Sequence, residues 1–264
     1  MNKSFSFGNR VWEIVYPVGM YYAAITIGMF LAQFVIGSSI EDYMLCKIIG
    51  SLVALPVVYA DYIADLKRDG VYGKKWLFSK QMFGNILFVG IISVCLSIAL
   101  NNLISMSPLI EVSTEYQDAS SAFYGSTIGL ELLGSALITP FLEEILHRGV
   151  VYGRLRRYMK MWPAVVLSAL VFAALHFNIV QFTYAFLLGI VFALFVEKTG
   201  HIYPAVLGHV LANGIAVIRT ETGWLNETVD GSVSAWLISV GLLLIGTGIL
   251  MIYVGKKSRG ERWQ

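Results

Sequence analysis

The chain has 264 residues, of which 57% are hydrophobic and 14% are charged, whereas a soluble domain usually carries about 25% charged residues. This composition excludes a disordered protein, a nucleic-acid-binding module and an ordinary soluble enzyme. The formal net charge of +2 adds little, because in a membrane protein the position of each charge matters more than the sum.

Eight stretches of the chain are apolar enough to be membrane helices, since a helix needs about 20 apolar residues to cross the hydrocarbon core. They predict an all-α membrane bundle of about eight transmembrane helices, forming a single integral membrane domain over residues 1–264. The sixth and seventh are short and are expected to be tilted, re-entrant or extended at their ends. In chain order the stretches cover residues 14–37, 43–62, 82–103, 127–148, 163–180, 182–196, 203–218 and 233–254.

The basic residues predict the orientation of these helices. When the loops are placed on alternate sides, all of the 19 lysines and arginines except Lys47 and Arg219 fall on the side of the two termini. Cytoplasmic loops are the ones enriched in Lys and Arg. We therefore expect both termini in the cytoplasm and a multi-pass protein of the cell membrane, most simply a bacterial plasma membrane. The long side chain of Lys47 is expected to reach an interface.

Ionisable side chains at membrane depth are costly and are therefore functional candidates. With the basic loop from Arg157 to Met161 taken as the cytoplasmic surface, Glu143 and His176 lie ~21 and ~22 Å from it along their helices. From the inner loop near Gly200, His209 and Asn213 lie ~14 and ~20 Å along theirs. Three separate helices thus bring a carboxylate, two imidazoles and an amide to similar depth.

This set of side chains suits hydrolysis. A carboxylate and a histidine can polarise a water, while a second histidine and an asparagine can donate hydrogen bonds to the developing oxyanion. The same acid and imidazole groups are also common zinc ligands, so a metal site remains an alternative. Glu144 and Arg148 are four residues apart and are expected to form an ion pair on one helical face.

Three motifs follow one another on successive helices: Glu-Glu-x-x-x-Arg from Glu143, Phe-x-x-x-His from Phe172 and His-x-x-x-Asn from His209. Together they resemble the CAAX protease and bacteriocin-processing family of intramembrane endopeptidases. The resemblance covers about residues 129–214, and the remaining helices carry no motif.

The resemblance implies peptide-bond hydrolysis inside the membrane. It assigns Glu143 as the general base, His176 as its assistant, and His209 with Asn213 as the groups that stabilise the oxyanion. Glu144 and Arg148 would support the site.

Members of this family have been described both with and without a catalytic metal. The chain has no His-Glu-x-x-His pair, which favours the mechanism without a cofactor. If zinc or another divalent metal takes part, its ligands are expected to be Glu143, His176 and His209.

One departure from the family pattern is His147, where an aromatic residue is usual. We expect His147 to be solvated at the cytoplasmic interface, with a pairing to Glu143 as the alternative.

The substrate class follows from the resemblance and not from any residue of the chain. Candidates are a bacteriocin or pheromone precursor, a segment of a membrane protein and a prenylated tail, each met within the lipid bilayer. Two other functions stay open. One is a non-proteolytic membrane scaffold of the same fold, and the other is a proton-coupled transporter, although no internal symmetry of the kind found in transporters is evident.

Overall fold

The computed structural model describes residues 7–73 and 80–255 of the chain. All regular elements in these two ranges are helical, which confirms the predicted all-α class. Several basic residues that support the predicted orientation lie outside the described ranges, namely Lys3, Lys74, Lys75, Lys256, Lys257, Arg259 and Arg262.

The central element is an irregular helix over Ile128–Tyr158, called here the site helix. Two π-helical segments interrupt it, and π-helical turns are rare and frequently found at functional sites. Its parts are α5 (Ile128–Glu131), π1 (Leu132–Ile138), α6 (Thr139–Glu144), π2 (Ile145–Tyr152) and α7 (Gly153–Tyr158).

The other helices surround the site helix. α1 packs against α2, α3 packs against both α10 and α11, and α8 packs against α9. Their bounds are α1 (Phe7–Val35), α2 (Ile40–Arg68), α3 (Lys80–Ser105), α4 (Thr114–Phe123), α8 (Met161–Ala174), α9 (Ile179–Thr199), α10 (Tyr203–Thr222) and α11 (Val233–Gly255).

Among the described residues, five helices are long and apolar enough to cross a membrane. The number becomes six if α4 and the site helix, which meet at a bend of 109°, form one broken span. The eight predicted stretches are all largely helical, but the count of eight spans and the cytoplasmic position of the termini stay predictions. The five helices that are long and apolar enough to cross a membrane are α1, α2, α3, α9 and α11.

The predicted lengths were wrong for one stretch. The fifth was expected to run through residues 163–180, yet α8 ends at Ala174 and has 14 residues. It is therefore ~21 Å long, shorter than the hydrocarbon core of about 30 Å. The stretches that were expected to be short are extended at their ends, because α9 has 21 residues and α10 has 20.

Small residues allow the outer pair of helices to pack closely. A Cβ atom added at Gly50 of α2 would lie 2.6 Å from the carbonyl oxygen of Ile25 in α1, closer than real contacts allow. A glycine at this position thus permits the backbones of α1 and α2 to touch.

A network of buried and partly buried charges, called here the Arg154 network, joins the end of α2 to α7. It consists of Arg154, Arg157, Asp61, Asp65 and Asp69. Arg154 contacts both Asp61 and Asp65 at 2.7 Å, and Arg157 contacts Asp65 at 2.9 Å and Asp69 at 2.8 Å. Arg154 also donates a hydrogen bond to a backbone carbonyl of α1, so three helices are tied together at this end of the bundle.

Candidate active site

The two adjacent glutamates of the site helix project in different directions. Neighbouring side chains on a helix are rotated by about 100°, and here the Glu144 side chain is fully buried while that of Glu143 is 19% exposed. Glu143 lines a cavity of about 460 Å³, and His176, His209 and Asn213 line the same cavity. The four predicted catalytic residues are therefore brought together from the site helix, α10 and the end of α8.

His209 lies between the two glutamates. Its Nδ1 atom is 2.8 Å from Oε1 of Glu144, and its Nε2 atom is 3.8 Å from Oε2 of Glu143. Because an ionised carboxylate only accepts hydrogen bonds, the proton of the neutral ring belongs on Nδ1. Glu144 thus orients the imidazole so that Nε2 faces Glu143 and the cavity.

Arg148 holds Glu144 through the same oxygen atom, Oε1, that His209 contacts. Its guanidinium forms the ion pair that the four-residue spacing predicts, with Nη1 3.0 Å from Oε1 of Glu144. Nη2 donates to the backbone carbonyl of Gly189 at 3.1 Å. A Cβ atom at residue 189 would come within 3.2 Å of that nitrogen, so glycine leaves room for the arginine against α9. Both side chains of the pair are fully buried, which suits a positioning role.

His176 follows the end of α8, where the chain breaks before α9. Its Nδ1 atom is 3.0 Å from the carbonyl oxygen of Phe172, so Nδ1 carries the proton and Nε2 is left as an acceptor. The next residue, Phe177, has a φ of +57°, which a bulky residue rarely adopts. Asn178 then caps α9 by accepting a hydrogen bond from the backbone N–H of Gln181 at 2.8 Å. The break therefore ends the short helix α8 and presents His176 to the cavity.

Asn213 lies one helical turn after His209 on α10. Its Nδ2 atom donates to the carbonyl oxygen of Ser135 in π1 at 2.9 Å. An amide has two N–H groups, so this hydrogen bond fixes the side chain while the second N–H is available to a ligand in the cavity.

Phe172 occupies the centre of the site. The centre of its ring lies 5.1 Å from that of His176 and 5.6 Å from that of His209. The Arg148 guanidinium is 4.5 Å from the same ring centre. The ring thus separates the arginine from the cavity and holds both histidines edge-on.

The expectation for His147 was wrong. It was predicted to be solvated, but it is 2% exposed. Its ring packs against Phe172 at 5.0 Å, and its Nδ1 atom has no hydrogen-bond partner in the described part of the chain. The π2 segment turns this side chain into the interior, a change of direction that a regular helical pattern does not predict.

The predicted alternative metal ligands Glu143, His176 and His209 line the same cavity. Within residues 7–73 and 80–255, no group of three or more His, Cys, Asp or Glu side chains is arranged to hold a metal ion. The choice between a metal-dependent and a metal-free mechanism stays a prediction.

Sequence reasoning missed Lys47, which lines the cavity instead of reaching an interface. The signal was its departure from the alternating charge pattern. Arg219 departs from the same pattern for a structural reason. It is buried and donates hydrogen bonds to Asn102 and Thr228. These residues lie near the end of the bundle opposite the Arg154 network.

Comparisons with known proteins match the part of the chain that carries this site. Residues 125–215, about a third of the chain, match the family model described as Type II CAAX prenyl endopeptidase Rce1-like. The three motifs all lie within these residues. No solved structure gives a significant match.

One curated relative is a Bacillus subtilis (strain 168) protein named "Putative membrane peptidase YdiL", which is 26% identical over 117 residues. The alignment covers 44% of this chain and 48% of the relative, so the chain spans about half the length of that protein. The two findings confirm the predicted resemblance to the CAAX protease and bacteriocin-processing family and support a membrane protease. Together with the apolar helices they confirm a multi-pass membrane protein, and a bacterial cell membrane fits the Bacillus relative.

Proposed function

We propose that this chain, a relative of membrane peptidases, is an intramembrane endopeptidase that hydrolyses a peptide bond in a peptide precursor or a membrane-anchored substrate. The observation that carries the proposal is the bridging position of His209 between Glu143 and Glu144, beside His176 and Asn213 in one cavity. The family match over the same residues supports it.

In the proposed reaction Glu143 is the general base. It takes a proton from a water in the cavity, and the resulting hydroxide attacks the carbonyl carbon of the scissile peptide bond. His176 assists, because its free Nε2 atom accepts a hydrogen bond from the same water. The proton held by Glu143 is then delivered to the leaving amine as the C–N bond breaks.

His209 and Asn213 stabilise the oxyanion that forms on the carbonyl oxygen. Asn213 donates its second N–H. His209 donates through Nε2 as an imidazolium, which takes its second proton from solvent before the substrate binds and whose charge the Glu144 carboxylate balances through Nδ1. Donors that are fixed before the reaction stabilise developing charge without reorganisation, and the buried pair of Glu144 and Arg148 supplies that fixation.

The substrate class is proposed from the family. A bacteriocin or pheromone precursor, a segment of a membrane protein and a prenylated Cys-containing tail each present a peptide bond at the lipid bilayer. The matched family model is described by CAAX prenyl endopeptidase activity, which supports the prenylated tail as the first candidate to assay.

The experiment is cleavage of candidate precursors by the purified chain in detergent or liposomes. Glu143→Ala, His176→Ala and His209→Ala are each expected to abolish cleavage. Glu227→Ala and His201→Ala are matched controls, since both side chains belong to exposed residues outside the cavity, and these variants are expected to retain cleavage.

Unchanged cleavage in all three site variants would contradict the proposal. Treatment with a chelator followed by zinc tests the mechanism in the same assay. Activity that is indifferent to both treatments supports the cofactor-free mechanism, whereas loss and recovery would assign Glu143, His176 and His209 as metal ligands.

A further inference from the structure

The active-site cavity extends from Glu143 toward the start of the site helix. The residues of this helix that line the cavity are Ser135, Thr139 and Glu143, and their spacing of four places them on one helical face. Glu143 is the last of them, although the site helix continues to Tyr158. Glu143 therefore lies at the floor of the cavity.

Helix α10 lines the cavity in the same direction. It runs antiparallel to the site helix, because His209 contacts Glu144 while Asn213 contacts Ser135. Its lining residues begin at His209 and end at Val217. Both helices thus lead from the catalytic groups toward the end of the bundle where α4 lies.

The bundle is closed on the other side of Glu143, which faces the Arg154 network. All eight residues of π2 (Ile145–Tyr152), which follows Glu144 on the site helix, are buried. The two largest, Arg148 and Tyr152, are 0% exposed. π2 packs against α1, α2, α8 and α9. Water and substrate therefore have no path to Glu143 through π2.

The mouth of the cavity lies at α4. The residues of α4 that line the cavity share one helical face, since they are three or four positions apart. They are Tyr116, Ala119, Ser120 and Phe123. The opposite face carries exposed polar residues, namely Thr114, Asp118 and Ser121. α4 has no buried residue, and the bend of 109° turns it across the site helix. An amphipathic helix in this position lies between water and the cavity.

The two ends of the bundle differ in their exposed basic side chains. Near the Arg154 network, the exposed lysines and arginines are Arg10, Lys67, Arg68 and Lys160. At the α4 end, the lysines and arginines within residues 7–73 and 80–255 are Lys47 in the cavity and the buried Arg219, and neither is exposed. Because cytoplasmic loops are the ones enriched in Lys and Arg, the α4 end is expected on the non-cytoplasmic side.

We propose that the active site opens to the non-cytoplasmic side of the membrane and that its substrate is a peptide segment on that side. This inference rests on the proposed function and selects among the substrates proposed there. A secreted precursor, or the outer segment of a membrane protein, reaches Glu143 through the mouth at α4. A prenylated tail on the cytoplasmic face does not reach it.

The test measures the side from which a membrane-impermeant thiol reagent reaches the cavity. The two native cysteines, Cys46 and Cys95, are first replaced by alanine in the full chain. Single cysteines are then introduced, and each variant is labelled in intact bacterial spheroplasts and again after permeabilisation with detergent. The extent of labelling is read from the mass of the purified protein.

Three positions report three parts of the molecule. Asp118→Cys reports the exposed face of α4, and Lys160→Cys reports the exposed surface beside the Arg154 network. Thr139→Cys reports the cavity, one helical turn from Glu143. Because Thr139 is only 4% exposed, Ser120→Cys at the mouth is a second cavity reporter that is less tightly packed.

We expect Asp118→Cys, Ser120→Cys and Thr139→Cys to be labelled as fully in intact spheroplasts as after permeabilisation. Lys160→Cys should stay unlabelled until the membrane is permeabilised. If the two cavity reporters need permeabilisation while Asp118→Cys does not, the cavity opens toward the cytoplasm and the inference is overturned. If Asp118→Cys needs permeabilisation and Lys160→Cys does not, the mouth faces the cytoplasm and the inference is overturned as well. Where Thr139→Cys is labelled under neither condition, Ser120→Cys decides.

Labelling does not require cleavage, so the inference and the proposed function can fail separately. A pool of charged, internally quenched peptides is added to spheroplasts and to inverted membrane vesicles, with Glu143→Gln as the control for other proteases. Cleavage that depends on Glu143 in spheroplasts alone supports the inference, and such cleavage in inverted vesicles alone overturns it. If cleavage is absent from both and also in detergent, the proposed function fails for these peptides, and the labelling alone decides the inference.

Discussion

The Arg154 network and the active-site cavity are both polar clusters inside an apolar bundle, but they differ in how fully their atoms are paired. In the network each of the two arginines contacts two aspartates within 3 Å. In the site, buried polar atoms of Thr139, Glu144, His147 and Arg148 have no hydrogen-bond partner among the described residues.

A buried polar group without a partner costs about 1–3 kcal/mol. A cluster whose only role is to hold helices together has no reason to carry several such atoms, and the Arg154 network carries none of those identified. We infer that the network serves rigidity, whereas the buried groups of the site are placed to position Glu143 and His209 and not to maximise stability. Variants in the two clusters should therefore separate activity from stability.

The largest effect is expected from Glu143→Gln. The amide keeps the size of the side chain but cannot take a proton from water, so the cleavage rate should fall by about 10²- to 10⁴-fold. The side chain is partly exposed to the cavity, so the temperature at which helical circular dichroism is lost should stay within about 2 °C of that of the unmodified chain. A large loss of thermal stability would show that Glu143 is a structural residue. The active site and the Arg154 network would then not differ in their contribution to stability.

Arg154→Met should lower the stability of the chain and leave the cleavage rate unchanged. The substitution keeps an apolar stem but leaves the partly buried Asp61 without an arginine and the buried Asp65 with Arg157 alone. Breaking a buried pair in this way destabilises a protein by about 3–5 kcal/mol. Unfolding by denaturant in mixed micelles measures the loss, and the cleavage rate per folded molecule should be retained. A variant that folds normally yet fails to cleave would place the network in the catalytic machinery.

The contrast also explains what the sequence predicted well. The four-residue spacing predicts the ion pair of Glu144 and Arg148, which forms although Arg148 lies in π2. The helix rise predicts that Glu143, His176, His209 and Asn213 come together, and they line one cavity. Most of these groups lie on helices, where a rise of 1.5 Å per residue gives the position of each side chain along the helix axis.

The misplaced residues lie where helix geometry is irregular or where a tertiary contact decides. His147 is turned inward by the π2 segment, and the fifth stretch is cut short by the break at Phe177. Lys47 was expected at an interface because the cavity that receives it is formed only when α2, α4 and the site helix assemble. None of these features produces a periodic pattern of residues that the sequence alone could show.

Asn213→Ala should have a smaller effect than Glu143→Gln, because it removes one of two proposed oxyanion donors. Loss of one such donor costs about 10²- to 10³-fold in rate. Asn101→Ala is the matched control, since Asn101 is an amide that lines the same cavity without a hydrogen bond to the site. Steady-state cleavage should show the loss in kcat and little change in KM for Asn213→Ala. Equal rates for the two variants would remove Asn213 from the proposed mechanism.

Arg156→Lys tests how much hydrogen-bond geometry contributes when the charge of a pair is kept. Arg156 contacts Glu197 through two nitrogens at 2.9 and 3.0 Å, at the same end of the bundle as the Arg154 network. Both side chains are partly buried, at 16% exposed, as are those of Arg157 and Asp61 in the network. Lysine keeps the charge and loses the two-pronged geometry, so Glu197 still has a positive partner. We therefore expect a loss of about 1 kcal/mol, the contribution of one hydrogen bond, in the same denaturant assay, with cleavage unaffected. If Arg156→Lys costs as much as Arg154→Met, the geometry of the hydrogen bonds and not the presence of a partner charge stabilises this end of the bundle.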